Sequence, residues 1–315
     1  MDRAVIGVDL GGTNLRSAIL TENGDILDKR KRATLASEGH QKVIQRLIDD
    51  ITALQAGAQA RGIHIAAVGV GAPGVIHSDT GVVIKSPNFP DWNEVPLKKK
   101  LEQGIGIPVF VENDANAAAF GEHRRGAGKD AGSLIFITLG TGVGGGIILN
   151  GGIWHGADGM AGEIGHMTIL PDGRICGCGN HGCLEMYASS RGIIMSYSEA
   201  LVREGVVGPP GEITSEMIYD AAENGDQRAV AVMEQMGRSL GIGIANLINI
   251  FNPEMVVIGG GVREAWPLFI QAAKREILQR AFAFPAERTK LVPSVLGDDA
   301  GMVGAAAVAF QMMNS

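Results

Sequence analysis

A chain of 315 residues, 45% hydrophobic and 19% charged, is long enough for a large core and two domains, and that balance excludes a disordered chain. Its net charge of −7 argues against a broad basic surface for nucleic acid. Three cysteines, an odd count, argue against a disulfide framework and fit a reducing, cytoplasmic setting. No apolar run reads as a membrane span or a leader, and the N-terminus moves straight into a strand, with no room for a helix-turn-helix module ahead of it.

Residues 3–10 read as a buried strand that ends in Asp9-Leu10-Gly11-Gly12-Thr13-Asn14. Residues 15–20 read as the returning strand, Asn23-Gly24 as a hairpin turn, and residues 26–33 as a third strand. Over residues 40–61, Val43, Leu47, Ile48, Ile51 and Leu54 follow helical spacing. A strand over 65–70 leads to Gly71-Ala72-Pro73-Gly74. The turn-rich stretch 85–95 exposes Asn88 and Trp92, and a strand over 107–111 ends at Glu112-Asn113-Asp114 before a helix over 115–124.

A strand over 134–139, a glycine turn over 140–146 and a strand over 146–150 repeat the layout of the N-terminus, a weak internal repeat. Helices are expected over 184–203, 214–223 and 227–250, and a strand over 254–258 ends at Gly259-Gly260-Gly261. A helix over 266–280, a short strand over 291–295 and a closing helix over 300–312 complete the chain. Strands alternating with helices give an α/β protein, with functional loops at strand ends.

The segment from Glu163 to Glu185 carries the most specific chemistry. His166, Cys176, Cys178 and Cys183 are the donor set of a closed tetrahedral zinc site. Four protein ligands leave no open position for water, so the role expected of the metal is structural. The alternative is a group of buried thiols. Asp9, Gly11, Gly12, Thr13 and Asn14 form one glycine turn suited to anionic oxygen, with Asp9 placed to hold Mg2+ or its water. Thr138, Gly140, Thr141 and Gly142 repeat that chemistry, and neither turn matches the P-loop pattern. Gly259, Gly260 and Gly261 can let a flat base lie against backbone, or make a tight strand-to-helix turn.

Asp114 ends a buried strand ahead of a helix. It can accept a proton from an attacking hydroxyl, or cap the helix; the neighbouring glycine turns favour the base. Asn88, Asn113, Glu163, His166 and Glu185 form a set suited to vicinal hydroxyls, with Gly74 shaping the same pocket. Trp154-His155 and His181 read as packing or surface groups. His123-Arg124-Arg125 suits a helix end, and Lys98-Lys99-Lys100 reads as a solvated helix face.

The DLGGTN, END, TLGTGVGGG, EIGH and CGCGNHGCLE motifs together resemble the ROK family (repressor, open reading frame, kinase), across nearly the whole chain. The resemblance implies an actin-like, ribonuclease-H-like ATPase fold, with two α/β domains closing around a central cleft. We place the smaller domain at 1–114 plus 299–315 and the larger, with the zinc site, at 115–298. The family implies ATP-dependent phosphorylation of the 6-hydroxyl of a hexose, glucose first, with N-acetylmannosamine, fructose or allose as alternatives. Asp114 would be the base. Gly74, Asn88, Asn113, Glu163, His166 and Glu185 would surround the sugar, and His166 would serve metal and sugar through its two ring nitrogens. The glycine turns would hold ATP, and the assembly would be a dimer or tetramer without nucleic acid or membrane. A sugar-sensing regulator and a chaperone-type ATPase are the readings from other classes.

Overall fold

The apolar runs at the N-terminus form β1 (Ala4–Leu10), β2 (Asn14–Thr21) and β3 (Ile26–Ala33). The helical spacing that follows is α1 (His40–Ala60), which buries Val43, Leu47, Ile51 and Leu54. After β4 (Ile65–Ala72), the turn-rich stretch is bracketed by a small antiparallel sheet of β5 (Val75–His77), β6 (Val82–Lys85) and β7 (Asn93–Val95). Trp92 is not exposed as expected. It is buried and stacks on Phe89 with ring centroids 4.6 Å apart, because that indole has more to gain from aromatic contact than from water.

Then come α2 (Leu97–Ile105), β8 (Val109–Asn113), α3 (Asp114–Arg125), β9 (Ser133–Leu139), β10 (Val143–Leu149) and β11 (Gly152–Ile153). The single helix expected over 184–203 is broken into α4 (Glu185–Ala188) and α5 (Ser190–Arg203). Ser189 is extended and its Oγ accepts from the Gly192 N–H at 3.1 Å, an N-cap that starts a new helix. The chain ends with α6 (Ser215–Glu223), α7 (Gln227–Phe251), β12 (Met255–Gly259), α8 (Trp266–Arg280), α9 (Ala283–Arg288), β13 (Lys290–Pro293) and α10 (Ala300–Met313).

This computed structural model describes residues 3–77, 79–86, 89, 91–206 and 212–314; Asn88 lies outside the described residues. Contacts divide the chain into one unit of Met1–Gly132, Gly146–Gly162 and Val295–Ser315, and another of Ser133–Gly145 and Glu163–Ser294. The first holds a sheet in the order β3-β2-β1-β4-β8, with β1, β4 and β8 parallel. Helices α1 and α2 share a core with one face, and α10 packs on the other. The register sets Asp9 beside Gly71, Gly71 beside Glu112, and Ala72 beside Asn113, so the strands carrying the DLGGTN and END motifs end in one row.

Small residues let α10 lie flush on this sheet and on α3. An added Cβ would lie 1.6 Å from Ala117 O at Gly304 and 2.5 Å from Ala300 O at Gly121. This contact keeps α3 in the first unit, so the contact division falls after Gly132 and not at the expected hinge near Asp114. In the second unit β12 lies between β9 and β13, all parallel, and α7 packs along α8. No helix among the described residues is long and apolar enough to cross a membrane.

Gly304→Val is therefore expected to destabilise the first unit by about 3 kcal/mol or more, from overpacking against backbone that cannot yield. Thermal unfolding followed by circular dichroism measures this; an unchanged midpoint contradicts the packing described.

Candidate active site

The cysteine segment folds tightly on itself. The Cys176 N–H donates to Asn180 O at 2.8 Å and the Gly179 N–H to Cys176 O at 3.0 Å. Gly182 has φ 66° and sits against Leu170, where an added Cβ would lie 1.6 Å from the carbonyl oxygen. His166 Nδ1 lies 3.6 Å from Cys176 Sγ, and Cys178 Sγ lies 3.7 Å from Cys183 Sγ. One ligand atom from each of His166, Cys176, Cys178 and Cys183 falls within 4.8 Å of the others. A tetrahedron with Zn–S bonds of about 2.3 Å has edges of about 3.8 Å, so the spacing fits one small cation. The donor chemistry agrees. Burial pushes the Cys183 thiol up to about 12, so a cation is what would hold it as thiolate.

The same cluster places two of the expected hydroxyl-binding groups. His166 Nδ1 faces the sulfur, while Nε2 lies 3.9 Å from Glu163 Oε2. Glu185 Oε1 is 3.9 Å from Cys176 Sγ, and its Oε2 accepts from the Val143 N–H at 3.0 Å. Glu185 thus ties the cysteine cluster to the turn carrying Gly140, Thr141 and Gly142. A Cβ on Gly142 would lie 2.4 Å from Glu185 Oε2, so this turn needs glycine there. The Gly140 N–H donates to Gly142 O at 3.0 Å, and the Ser190 N–H donates to Gly140 O at 2.8 Å. Thr138 pairs in register with Gly259, so both glycine segments leave neighbouring parallel strands. Gly260, with φ 84° and Leu139 O against it, makes a tight strand-to-helix turn, whereas an added Cβ at Gly261 or Gly140 would meet nothing within 4 Å. Arg174, passed over in the sequence, braces this region: it donates to Met186 O at 2.7 Å and to Ser196 Oγ at 3.0 Å.

In the first unit, the Gly11 N–H donates to Asn14 O at 2.9 Å, the counterpart of the Gly140 bond. Thr34 Oγ1 donates to Gly11 O at 2.7 Å and fixes the turn. Asp9 meets Arg16 Nη1 at 3.4 Å, and Arg16 Nη2 meets Asp298 at 2.8 Å. An added Cβ at Gly301, in the first turn of α10, would lie 2.7 Å from Asp9 Cγ. Burial, then the charge of Asp114, push the Asp9 carboxyl up to about 6 against the pull of Arg16.

The N-cap of α3 is Asn113, whose Oδ1 accepts from the Ala115 and Asn116 N–H groups at 2.9 and 3.1 Å. The capping role considered for Asp114 thus belongs to its neighbour, and Asp114 takes the first helical position, where the helix dipole favours a carboxylate. Asp114 Oδ1 accepts from the Ala115 N–H at 2.8 Å. Asn113 Nδ2 donates to Gly74 O at 3.1 Å, which ties two of the expected sugar contacts together. Glu112 and His155 were not foreseen as site residues. Glu112 is buried beneath Asn113 and bonded to His155, set aside in the sequence as a packing or surface group. No periodicity marks a carboxylate inside a strand end, and only the fold brings residue 155 beside residue 112.

The ROK family model matches residues 5–312. The chain belongs to the ROK family. It is 40% identical to the glucokinase of Halalkalibacterium halodurans over 100% of this chain and 97% of that protein. It is 38% identical to a ROK family glucokinase from Streptomyces griseus solved with glucose and AMPPNP, with TM-score 0.81 and coverage of 98% and 99% of the two chains. It is also 34% identical to the xylose repressor of Caldicellulosiruptor bescii, over 99% of this chain and 79% of that repressor. The fold of this ROK member is the α/β actin-like ATPase fold of the family's kinases.

Two outcomes follow from this geometry. Because the Asp9 carboxyl lies near 6 in the folded chain and near 4 when unfolded, its ionisation lowers stability as pH rises from about 4 to about 6 and by a constant amount above that. Asp9→Asn should remove that loss, stabilising the ligand-free protein at pH 7 by up to about 3 kcal/mol and leaving it little changed at pH 4. Denaturant midpoints at the two pH values measure this, and equal shifts at both contradict it. Metal analysis of the purified protein should give close to one zinc per chain. Cys178→Ala, which alters an exposed position, should lose the metal and lower the melting temperature; zinc-free protein with full thermal stability contradicts the assignment.

Proposed function

We propose that this ROK protein is an ATP-dependent glucokinase that transfers the terminal phosphoryl group to the 6-hydroxyl of glucose. The observation that carries the reading lies in the first unit. Asp114 stands at the end of a strand parallel to the one bearing Asp9 and its glycine turn, close enough for its charge to raise the Asp9 carboxyl. A kinase needs this arrangement: a carboxylate to take the proton of the attacking hydroxyl, beside a turn of backbone N–H groups for phosphate.

In this reading Asp114 accepts the 6-hydroxyl proton. Asn113, with Gly74 behind it, and Glu163, His166 and Glu185 bond the other hydroxyls, with Asn88 as a further contact. His166 donates or accepts through Nε2 while Nδ1 faces the cysteines. Gly11, Gly12, Thr13 and Asn14, with Thr138, Gly140, Thr141 and Gly142, bind the phosphates of ATP through N–H and hydroxyl groups, and Gly259 to Gly261 meet the nucleoside. Mg2+ carried by ATP would spread the charge that develops on phosphate, with Asp9 holding it or its water. Zinc on His166, Cys176, Cys178 and Cys183 would be structural, fixing His166 and Glu185 as hydroxyl partners. Support comes from similarity to glucokinases along the full chain. Similarity to a xylose repressor keeps a second reading in view, in which the same sugar contacts serve sensing without transfer.

A panel of glucose, N-acetylmannosamine, fructose, allose and xylose in a coupled ADP assay separates these. Glucose is expected to have the highest kcat/KM; sugar binding with no ADP release supports the sensing reading. Asp114→Asn should lower kcat by about 10³-fold or more, with glucose binding kept within a few-fold. Retained turnover removes Asp114 as the base.

A further inference from the structure

Glu112 is an acid that neither the phosphate turns nor the sugar set employs. It is 7% exposed, at the end of β8 directly before Asn113 and Asp114. Its Oε1 accepts from the Asn113 N–H at 2.8 Å and from Asn116 Nδ2 at 3.1 Å. Its Oε2 lies 2.7 Å from His155 Nε2. A carboxylate so deeply buried persists only when its oxygens are bonded. Here the bonds serve a second purpose, because two of them hold the N-cap residue of α3 and a side chain in the first turn of that helix. His155 supplies the third from the segment after β11, remote in sequence, so it closes the carboxylate's orientation from outside the strand and helix.

We propose that His155 is a positioning residue for phosphoryl transfer: by donating from Nε2 to Glu112 it locks the β8–α3 junction and holds Asn113 and Asp114 in their working orientation. The inference rests on the glucokinase reading of Asn113 and Asp114 given above. Without the third bond Glu112 can turn, releasing the Asn113 N–H and the Asn116 side chain together. A shift of about 1 Å at a reacting group costs on the order of 10²-fold in rate, so a small loosening at the junction is enough to be read in turnover.

Two acidic groups face the imidazole, Glu112 from β8 and Asp79 from the turn between β5 and β6. The bond to Glu112, then the charges of Glu112 and Asp79, hold the His155 pKa above its ordinary value against the opposing effect of burial. The charged pair is therefore complete at acidic pH and weakens as pH rises through that elevated value. The neutral imidazole can still donate from Nε2, so the lock contributes only a few-fold fall in activity on the alkaline side.

The test compares His155→Ala with His155→Gln, whose amide N–H can replace Nε2 as donor without titrating. Expected for His155→Ala is a roughly 10- to 100-fold loss in kcat/KM for glucose. Amide hydrogen exchange over residues 112–116, read by mass spectrometry, should quicken by about tenfold, with exchange in the cysteine segment unchanged. Expected for His155→Gln is recovery of both to within a few-fold, with the alkaline fall of the wild type diminished. His155→Ala with unaltered turnover and unaltered exchange overturns the proposal, as does an alkaline limb that His155→Gln leaves in place. If His155→Ala does not fold, the pH profile of His155→Gln decides. If the wild type fails to phosphorylate glucose, the glucokinase reading fails by itself, and the exchange measurement still reports whether His155 locks the junction.

Discussion

The burial of Asp9 beside a second acid, Asp114, is the constraint that the strand ends of the first unit have to meet. Burial first, and then the charge of Asp114, raise the Asp9 carboxyl. The fold tolerates this through identifiable partners. Arg16 reaches Asp9 from the adjacent antiparallel strand and is itself tied to Asp298. The first turn of α10 packs directly over Asp9 at Gly301, and the small residues of α10 let it lie close to the sheet and to α3. The α10 packing thus holds in place the strand ends on which the acids stand. A polyanion carried with a metal ion would suit such a pair, because the cation would offset the repulsion between the two carboxylates.

The second unit works by a different principle. Its polar groups are ordered by a four-donor cluster and by Glu185, whose two oxygens point to a cysteine sulfur and to the N–H at the start of β10. A shift at the cysteine segment would therefore be felt at the glycine turn. On the glucokinase reading, a cation held there would affect chemistry it does not touch by fixing the orientation of the proposed hydroxyl partners.

Much of this was legible in the sequence because the signals are local. The cysteine spacing with His166, the glycines after the strands at residues 10 and 139, and the hairpin at Asn23-Gly24 each declare a turn or a donor set within a few residues. What was not legible depends on residues brought together by the fold. Asn113 rather than Asp114 caps α3, a choice between adjacent residues that composition does not make. The helix break at Ser189 rested on a single serine cap within a continuous helical pattern. Trp92 looked exposed among turn formers, yet finds Phe89 to stack on. His155 and Glu112 form a pair that only the tertiary structure reveals.

The glucokinase reading requires Asp114 to take the proton from the sugar hydroxyl that attacks phosphorus. A crystal structure of this protein with glucose and a non-hydrolysable ATP analogue tests it most directly. An Asp114 carboxylate oxygen is expected within about 2.6–3.2 Å of the glucose 6-hydroxyl, with that hydroxyl facing the terminal phosphorus. A 6-hydroxyl bonded to another residue, with Asp114 directed away from the sugar, contradicts it.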